Sequence, residues 1–270
     1  ARALAEELGV PYTGAGVRHA LNAFGHLFRL RQAAALRPML PESEGSHGSL
    51  ATEREVLAHL ASHGVPVVPA RIVASVADAV ADAAALDGQV VLKIASPDIQ
   101  HKTEVGGVAL NLRGEEAVTR AYEEMMRRVK AAKPVAKIEG VIVSPMRKSG
   151  VELFVGTMRD PQWGPTIAIG LGGIFVEVLK DTSLRVLPIN ESDALEMLGE
   201  LRGGKLLDGF RGATPVDRQR LAEIIVAIGN AALALGPKLV SLEVNPLLAS
   251  EGRIEALDGL VVWEDAHAHA

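Results

Sequence analysis

Apolar residues recur along this chain at two periods, one helical and one alternating, and the switch between them outlines the elements. Residues 1–31 read as two helical pieces, ARALAEEL and VRHALNAFGHLFRLRQ, around the turn-rich GVPYTGAG. RPMLPESEGSHGSL (37–50) holds two prolines, two glycines and three serines and reads as a linker. Thr52 with Glu55 is a capping-box signature for a helix ending before Gly64. VPVVPARIVA is extended, and Ser75 caps an amphipathic helix that stops near Gly88. VVLKIA (90–95) and GVALNL (107–112) are strands, and residues 115–132 a helix. From residue 135 the pattern changes. AKIEGVIVSPM, VELFVGTMRD, PTIAIGL, IFVEVL and LRVLPI form a series of strands joined by short turns, which predicts an antiparallel sheet. Helices return after Asn190, and Thr214–Pro215 reads as a cap and first-turn proline opening a long helix to about Leu235. LVSLEVNPLLA and RIEALDGLVV close the chain as a hairpin, and EDAHAHA follows as a frayed tail. The fold class expected is α+β, not a doubly wound one.

Composition narrows the chemistry. The 270 residues suffice for about two domains and a sizeable core. Aromatic residues make up 3% of them, so that core is aliphatic. A net charge of −5 gives no general surface for nucleic acid or lipid. No apolar run reaches the length of a membrane span, and the opening residues do not read as a signal peptide, so none is expected. The absence of cysteine excludes disulfides and thiolate metal sites and is compatible with a reducing cytoplasm, the compartment expected here. Because the first residue is Ala1, the chain is expected to be a piece of a longer or processed polypeptide, with residues 1–36 as the tail of a preceding domain.

The final hairpin brings oxygen atoms together. A two-residue Glu251–Gly252 turn, with glycine at positive φ, sets a register that places Asn245 opposite Asp258. Glu243, two residues before Asn245, shares its face. Two carboxylates and an amide without histidine or cysteine suit Mg²⁺; the alternative is a hairpin whose polar residues face water.

A second cluster lies in KIASPDIQHKTEVGGV (93–108). Lys93 interrupts an apolar strand, so its ammonium must either reach an edge or meet an anion. Lys102 adds charge, and the Gly106–Gly107 amides are expected to approach phosphates. His101 is either a solvated loop residue or a nucleophile for a phosphoryl group. GLGG (170–173) fails the dinucleotide spacing at Phe175 and reads as a tight turn or a loop over a nucleotide. His59 and His63, four apart on a helix without a third ligand, are expected on an exposed face.

Four segments together resemble one family. KIASPDIQHKTEVGGVALNL (93–112), VELFVGTMRDPQWGPTIAIGLGGIFVEVLKD (151–181), FRGATPVD (210–217) and LEVNPLLA (242–249) are similar to the ATP-grasp portion of ADP-forming acyl-CoA synthetases of the acetate–CoA ligase type, relatives of the succinyl-CoA synthetase β subunit. The resemblance covers about residues 50–265, and it marks residues 1–36 as the end of a succinyl-CoA-ligase-like domain and 37–50 as the linker. It implies an ATP-grasp fold, two α+β lobes with the nucleotide between them, and the reaction acyl-CoA + ADP + phosphate ⇌ acid + CoA + ATP. It implies that His101 exchanges phosphate with the nucleotide, that Lys93 binds phosphate, and that Glu243, Asn245 and Asp258 surround Mg²⁺. It also implies that EGVIVSPM (139–146) is a hinge whose backbone at Glu139, Val141, Ile142 and Val143 contacts adenine, with Glu152 nearby. ATP or ADP and Mg²⁺ are the cofactors implied for this chain. Coenzyme A, a small carboxylic acid and a second histidine belong to a CoA-binding domain and a phosphohistidine domain that the chain does not contain, so a partner chain or segment in an oligomer is expected. Two other uses remain open on the sequence: a nucleotide or acyl-CoA sensor fused to an acetyltransferase, and an ATP-grasp ligase joining a carboxylate to an amine.

Overall fold

A computed structural model describes residues 50–86, 88–99, 101–172, 181–209 and 214–264. The chain divides into two compact units, Ala1–Pro41 and Glu42–Ala270, and everything described lies in the second. The helical stretch expected at 1–31, the linker up to Ser49, the IFVEVL strand and the start of FRGATPVD lie outside the described residues.

The first helix, α1 (Glu53–Ser62), begins with the capping box read from the sequence. Thr52 accepts the Glu55 amide, and the Glu55 carboxylate accepts those of Ala51 and Thr52. Strand β1 (Arg71–Val73) and helix α2 (Val76–Ala85) follow, the latter capped by Ser75. Then come β2 (Val90–Ala95), β3 (Val108–Leu112), α3 (Glu115–Ala132) and β4 (Gly140–Pro145). These strands form an antiparallel sheet in the order β1-β4-β2-β3. The apolar stripes of α2 and α3 cover one face, where Leu92, Ile94, Val141 and Val143 meet Val118, Tyr122 and Met125.

The second sheet contains β5 (Val151–Asp160), β6 (Gly164–Leu171), β7 (Thr182–Val186), β8 (Leu239–Ser250), β9 (Arg253–Ala256) and β10 (Gly259–Trp263). Its order is β10-β8-β5-β6-β7, with β9 paired to β8, and every pairing is antiparallel. Helices α4 (Glu191–Glu200) and α5 (Arg218–Ala234) pack on one face, and so does α1. From α1 in the second lobe the path therefore crosses to build the first and returns through residues 146–150.

Two expectations need correction. Thr214–Pro215 does not open the long helix; Asp217 does, its carboxylate accepting the Arg220 amide. The Val216 amide donates to Leu207 O, which holds the preceding segment outside the helix. The strand RIEALDGLVV is two strands, β9 and β10, separated by Leu257 and Asp258. The hairpin register nonetheless persists across that gap. Ser250 pairs with Arg253, Gly259 with Val244, and the Asn245 amide donates to Asp258 O at 3.3 Å. Both turn residues have positive φ, Glu251 at 51° and Gly252 at 76°, the two-residue pattern that follows the twist of paired strands.

Candidate functional site

Lys93 lies within an otherwise apolar strand, paired with Val108 on one side and Ile142 on the other. Its neighbours Leu92 and Ile94 enter the helix-covered core, so the pleat turns Lys93 to the opposite face. There its ammonium meets anions of the protein itself. Lys93 Nζ donates to Glu53 Oε1 at 3.2 Å, to Leu257 O at 2.8 Å and to Asp258 Oδ2 at 3.1 Å.

Lys102 joins the same cluster. It stands in the 3-10 turn Lys102–Val105, and its Nζ lies 2.9 Å from Glu53 Oε2 and 3.5 Å from Asp258 Oδ1. Each carboxylate spans both lysines, one oxygen to each. Burial pushes the Lys102 ammonium down, but Asp258 and Glu53 outweigh it and hold its pKa above the ordinary lysine value. Two cations from the first lobe and two carboxylates from the second thus form a neutral bridge across the cleft. The cavity beside it measures about 40 Å³, lined by Thr52, Glu53, Ile72, Ser96, Lys102 and Gly259 among others. It has room for a few waters, not a nucleotide.

The sequence reading missed Glu53, although the pattern carried a signal. The buried stripe of α1 is Glu53, Val56, Leu57 and Leu60, so a charged residue occupies a position in phase with the apolar face. A charge there must be paired, because a carboxylate almost never stays buried alone.

His101 sits at the N-cap of the 3-10 turn with its side chain exposed. Lys102, one residue later, points inward, so the turn separates a buried charge from an accessible imidazole. The glycines have a different duty from the one expected. The Gly107 amide donates to Lys102 O at 2.7 Å and the Gly106 amide to Thr103 O at 3.1 Å. Both donors close the turn and neither is free for phosphate. Gly106 supplies the left-handed C-cap at φ 71°. Gly107 supplies clearance: a Cβ there would lie 2.6 Å from Ile94 Cγ2 and 2.9 Å from Lys102 O.

The adenine hinge also needs correction. Val141, Ile142 and Val143 occupy a central strand paired with β1 on one edge and β2 on the other, and the Glu139 amide donates to Ala95 O. Backbone groups committed to two ladders cannot also read a base. Of the three, Ile142 alone shares the face of Lys93; Val141 and Val143 point into the core. The Glu139 carboxylate pairs with Lys137 at the surface. The return connection between lobes is residues 146–150, held by Met146 N to Gln89 O and by the bidentate Arg147–Glu255 pair at 2.7 and 3.1 Å. Glu152 follows directly, exposed, at the start of β5.

Glu243 and Asn245 lie on β8, on the face away from Leu242, Val244 and the helices, with Glu243 opposite Gly156. Asp258 is the only one of the three in contact with the lysines. Among the described residues no group of three carboxylate or histidine side chains converges on a metal position. The candidate set is two carboxylates and an amide, hard oxygen donors of the kind Mg²⁺ takes. His59 and His63 are half-buried, not exposed; His59 Nε2 lies 2.9 Å from Ala231 O, a packing role.

Two sheets gripping a lysine-lined cleft now have a family. Residues 43–262 match the model of the ATP-grasp domain. The chain belongs to the ATP-grasp family. It is 38% identical to the acetate–CoA ligase (ADP-forming) I subunit beta of Pyrococcus furiosus, over 86% of this chain and 99% of that protein. It is 35% identical to the 4-hydroxybutyrate–CoA ligase (ADP-forming) of Nitrosopumilus maritimus, over 80% of this chain and 29% of that protein. The chain thus spans nearly all of the first relative and under a third of the second. Among solved structures it resembles the acetyl-coenzyme A synthetase 1 of Candidatus Korarchaeum cryptofilum, solved with coenzyme A and Ca-AMPCP. The TM-score is 0.75 at 40% identity, covering 79% of this chain and 93% of that one. No helix of this ATP-grasp chain, among the described residues, is long and apolar enough to cross a membrane.

Proposed function

We propose that this chain is the ATP-grasp part of an ADP-forming acid–CoA ligase, which interconverts acyl-CoA, ADP and phosphate with acid, CoA and ATP. The observation that carries this reading is the cleft: two lysines from one lobe, matched by carboxylates of the other, beside an exposed histidine. Phosphoryl transfer asks a protein mainly for positioning and charge neutralisation. Lys93 and Lys102 bind and neutralise the nucleotide phosphates, with Ile142 and Ile72 as the apolar floor of the same face. Glu243, Asn245 and Asp258 would hold Mg²⁺, which when bound offsets phosphate charge. A ring nitrogen of neutral His101 attacks the γ-phosphorus of ATP; the N–P bond forms, the bond to the bridging oxygen breaks, and ADP leaves.

The remaining steps use groups outside the ATP-grasp part. The acyl and CoA chemistry and the second phosphohistidine lie in a partner subunit or a further segment, with a small carboxylic acid as substrate, in an oligomer. One relative of known structure was solved with Mg-AMPPCP and a phosphohistidine segment pointing towards its nucleotide site, at 34% identity, which supports a delivered segment here. We place the enzyme in the cytoplasm, with its ATP and CoA.

The test is direct. The purified chain is mixed with Mg²⁺ and γ-labelled ATP, quenched at alkaline pH, and mapped for acid-labile phosphate. Label on His101 is expected, lost in His101→Asn while ATP binding persists. ATP binding without label on the chain together with its partner refutes the transfer step and favours a sensor.

A further inference from the structure

Asp258 and Glu53 hold the same two lysines but differ in their settings. The Asp258 side chain is 27% exposed and sits in the gap between β9 and β10, whereas that of Glu53 is 3% exposed at the start of α1, locked in phase with Val56, Leu57 and Leu60. A carboxylate on the rim can turn towards an arriving cation. One rooted in a helix whose next turns are core cannot leave without unpacking them. Glu53 also sits where the helix dipole favours an anion. Its Oε2 is fully buried and, despite the nearby Lys102 ammonium, receives no hydrogen bond of good geometry.

We propose that Glu53 is a positioning residue of the phosphate site: the fixed anion that keeps Lys93 and Lys102 side by side and aimed into the cleft while Asp258 is the partner that gives way. The role rests on the nucleotide reading given above. The physical reason is that a lysine stem has four rotatable bonds and, unpaired, carries its ammonium to water, while two neighbouring ammonium groups repel. A carboxylate with one oxygen on each offsets the repulsion and removes the alternative rotamers. Because Glu53 belongs to the second lobe and both lysines to the first, it also ties their reach to the spacing of the lobes.

Calorimetry of AMP, ADP and ATP, in excess Mg²⁺, on the wild-type chain, Glu53→Gln and Glu53→Asp, each with its unfolding midpoint, tests this. Glu53→Gln is expected to bind AMP as wild type does and to lose about tenfold in affinity for ATP, with ADP between. Glu53→Asp keeps the charge but is one methylene short, and shows the same grading with a smaller loss. ATP affinity unchanged or tightened in folded Glu53→Gln overturns the proposal, tightening being the mark of an anion that only competes with phosphate. An equal loss for all three nucleotides overturns it too, since a merely structural residue acts that way. Should Glu53→Gln fail to fold, Glu53→Asp decides, and wild-type ATP affinity in it overturns the role. A wild-type chain that binds no nucleotide overturns both this role and the function on which it rests; wild-type binding with unaltered variants overturns this role alone.

Discussion

Gly107→Ala probes the turn that carries both His101 and Lys102. The added methyl would stand 2.6 Å from Ile94 Cγ2 and 2.9 Å from Lys102 O, and Ile94 is fully buried. The backbone cannot retreat easily, because Gly107 N donates to Lys102 O at 2.7 Å and Gly107 O accepts the Ile94 amide at 2.8 Å. Overpacking of this kind costs about 1–3 kcal/mol, and a strained hydrogen bond adds about 1 kcal/mol. Against this stands about 0.5 kcal/mol from the stiffer unfolded chain. A net loss of about 2 kcal/mol is expected, a fall of about 4–8 °C in midpoint for a domain of this size. Urea unfolding in wild-type and Ile94→Ala backgrounds measures it. Ile94→Ala removes the methyl that the new Cβ would strike, so Gly107→Ala should cost at least about 1 kcal/mol less there. A cost below about 0.5 kcal/mol, or equal costs in both backgrounds, refutes the steric account.

Asp217→Ala should lower stability by about 1 kcal/mol through the lost cap of α5, while Thr214→Ala should leave chemical denaturation unchanged. Gly199, exposed within α4 with open space around it, should gain about 0.5–1 kcal/mol on replacement by alanine, read as a raised midpoint. The ionised Lys102 is favoured in the folded state, so its contribution is complete below its ordinary value of 10.5 and is lost as pH rises through the higher folded-state value. The stability gap between wild type and Lys102→Met should therefore stay flat from about pH 6 to about pH 9 and shrink only in more alkaline solution.

Much of this protein is local and therefore legible. VVLKIA is a strand over the residues expected, Thr52 and Glu55 form their capping box, and the Glu251–Gly252 turn sets the register that brings Asn245 opposite Asp258. Each depends on neighbours within a few residues, where periodicity and turn chemistry act. The resemblance to acyl-CoA synthetases rested on long ordered segments, and family and fold agree with it.

What the chain did not disclose are events between distant elements. That Lys93 meets Glu53 and Asp258 requires strand β2, helix α1 and the β9–β10 gap to converge from residues 40 and 165 positions apart. That Gly107 has no room for a side chain follows from Ile94, thirteen residues earlier, whose Cγ2 would lie 2.6 Å from an added Cβ. That Val141–Val143 are closed to a base follows from β4 being a central strand, which is a fact of sheet order. A sequence carries the propensity of each element and the charge of each side chain. Which backbone groups remain free, and which charges neutralise one another, depends on who packs beside whom, and only the tertiary structure determines that.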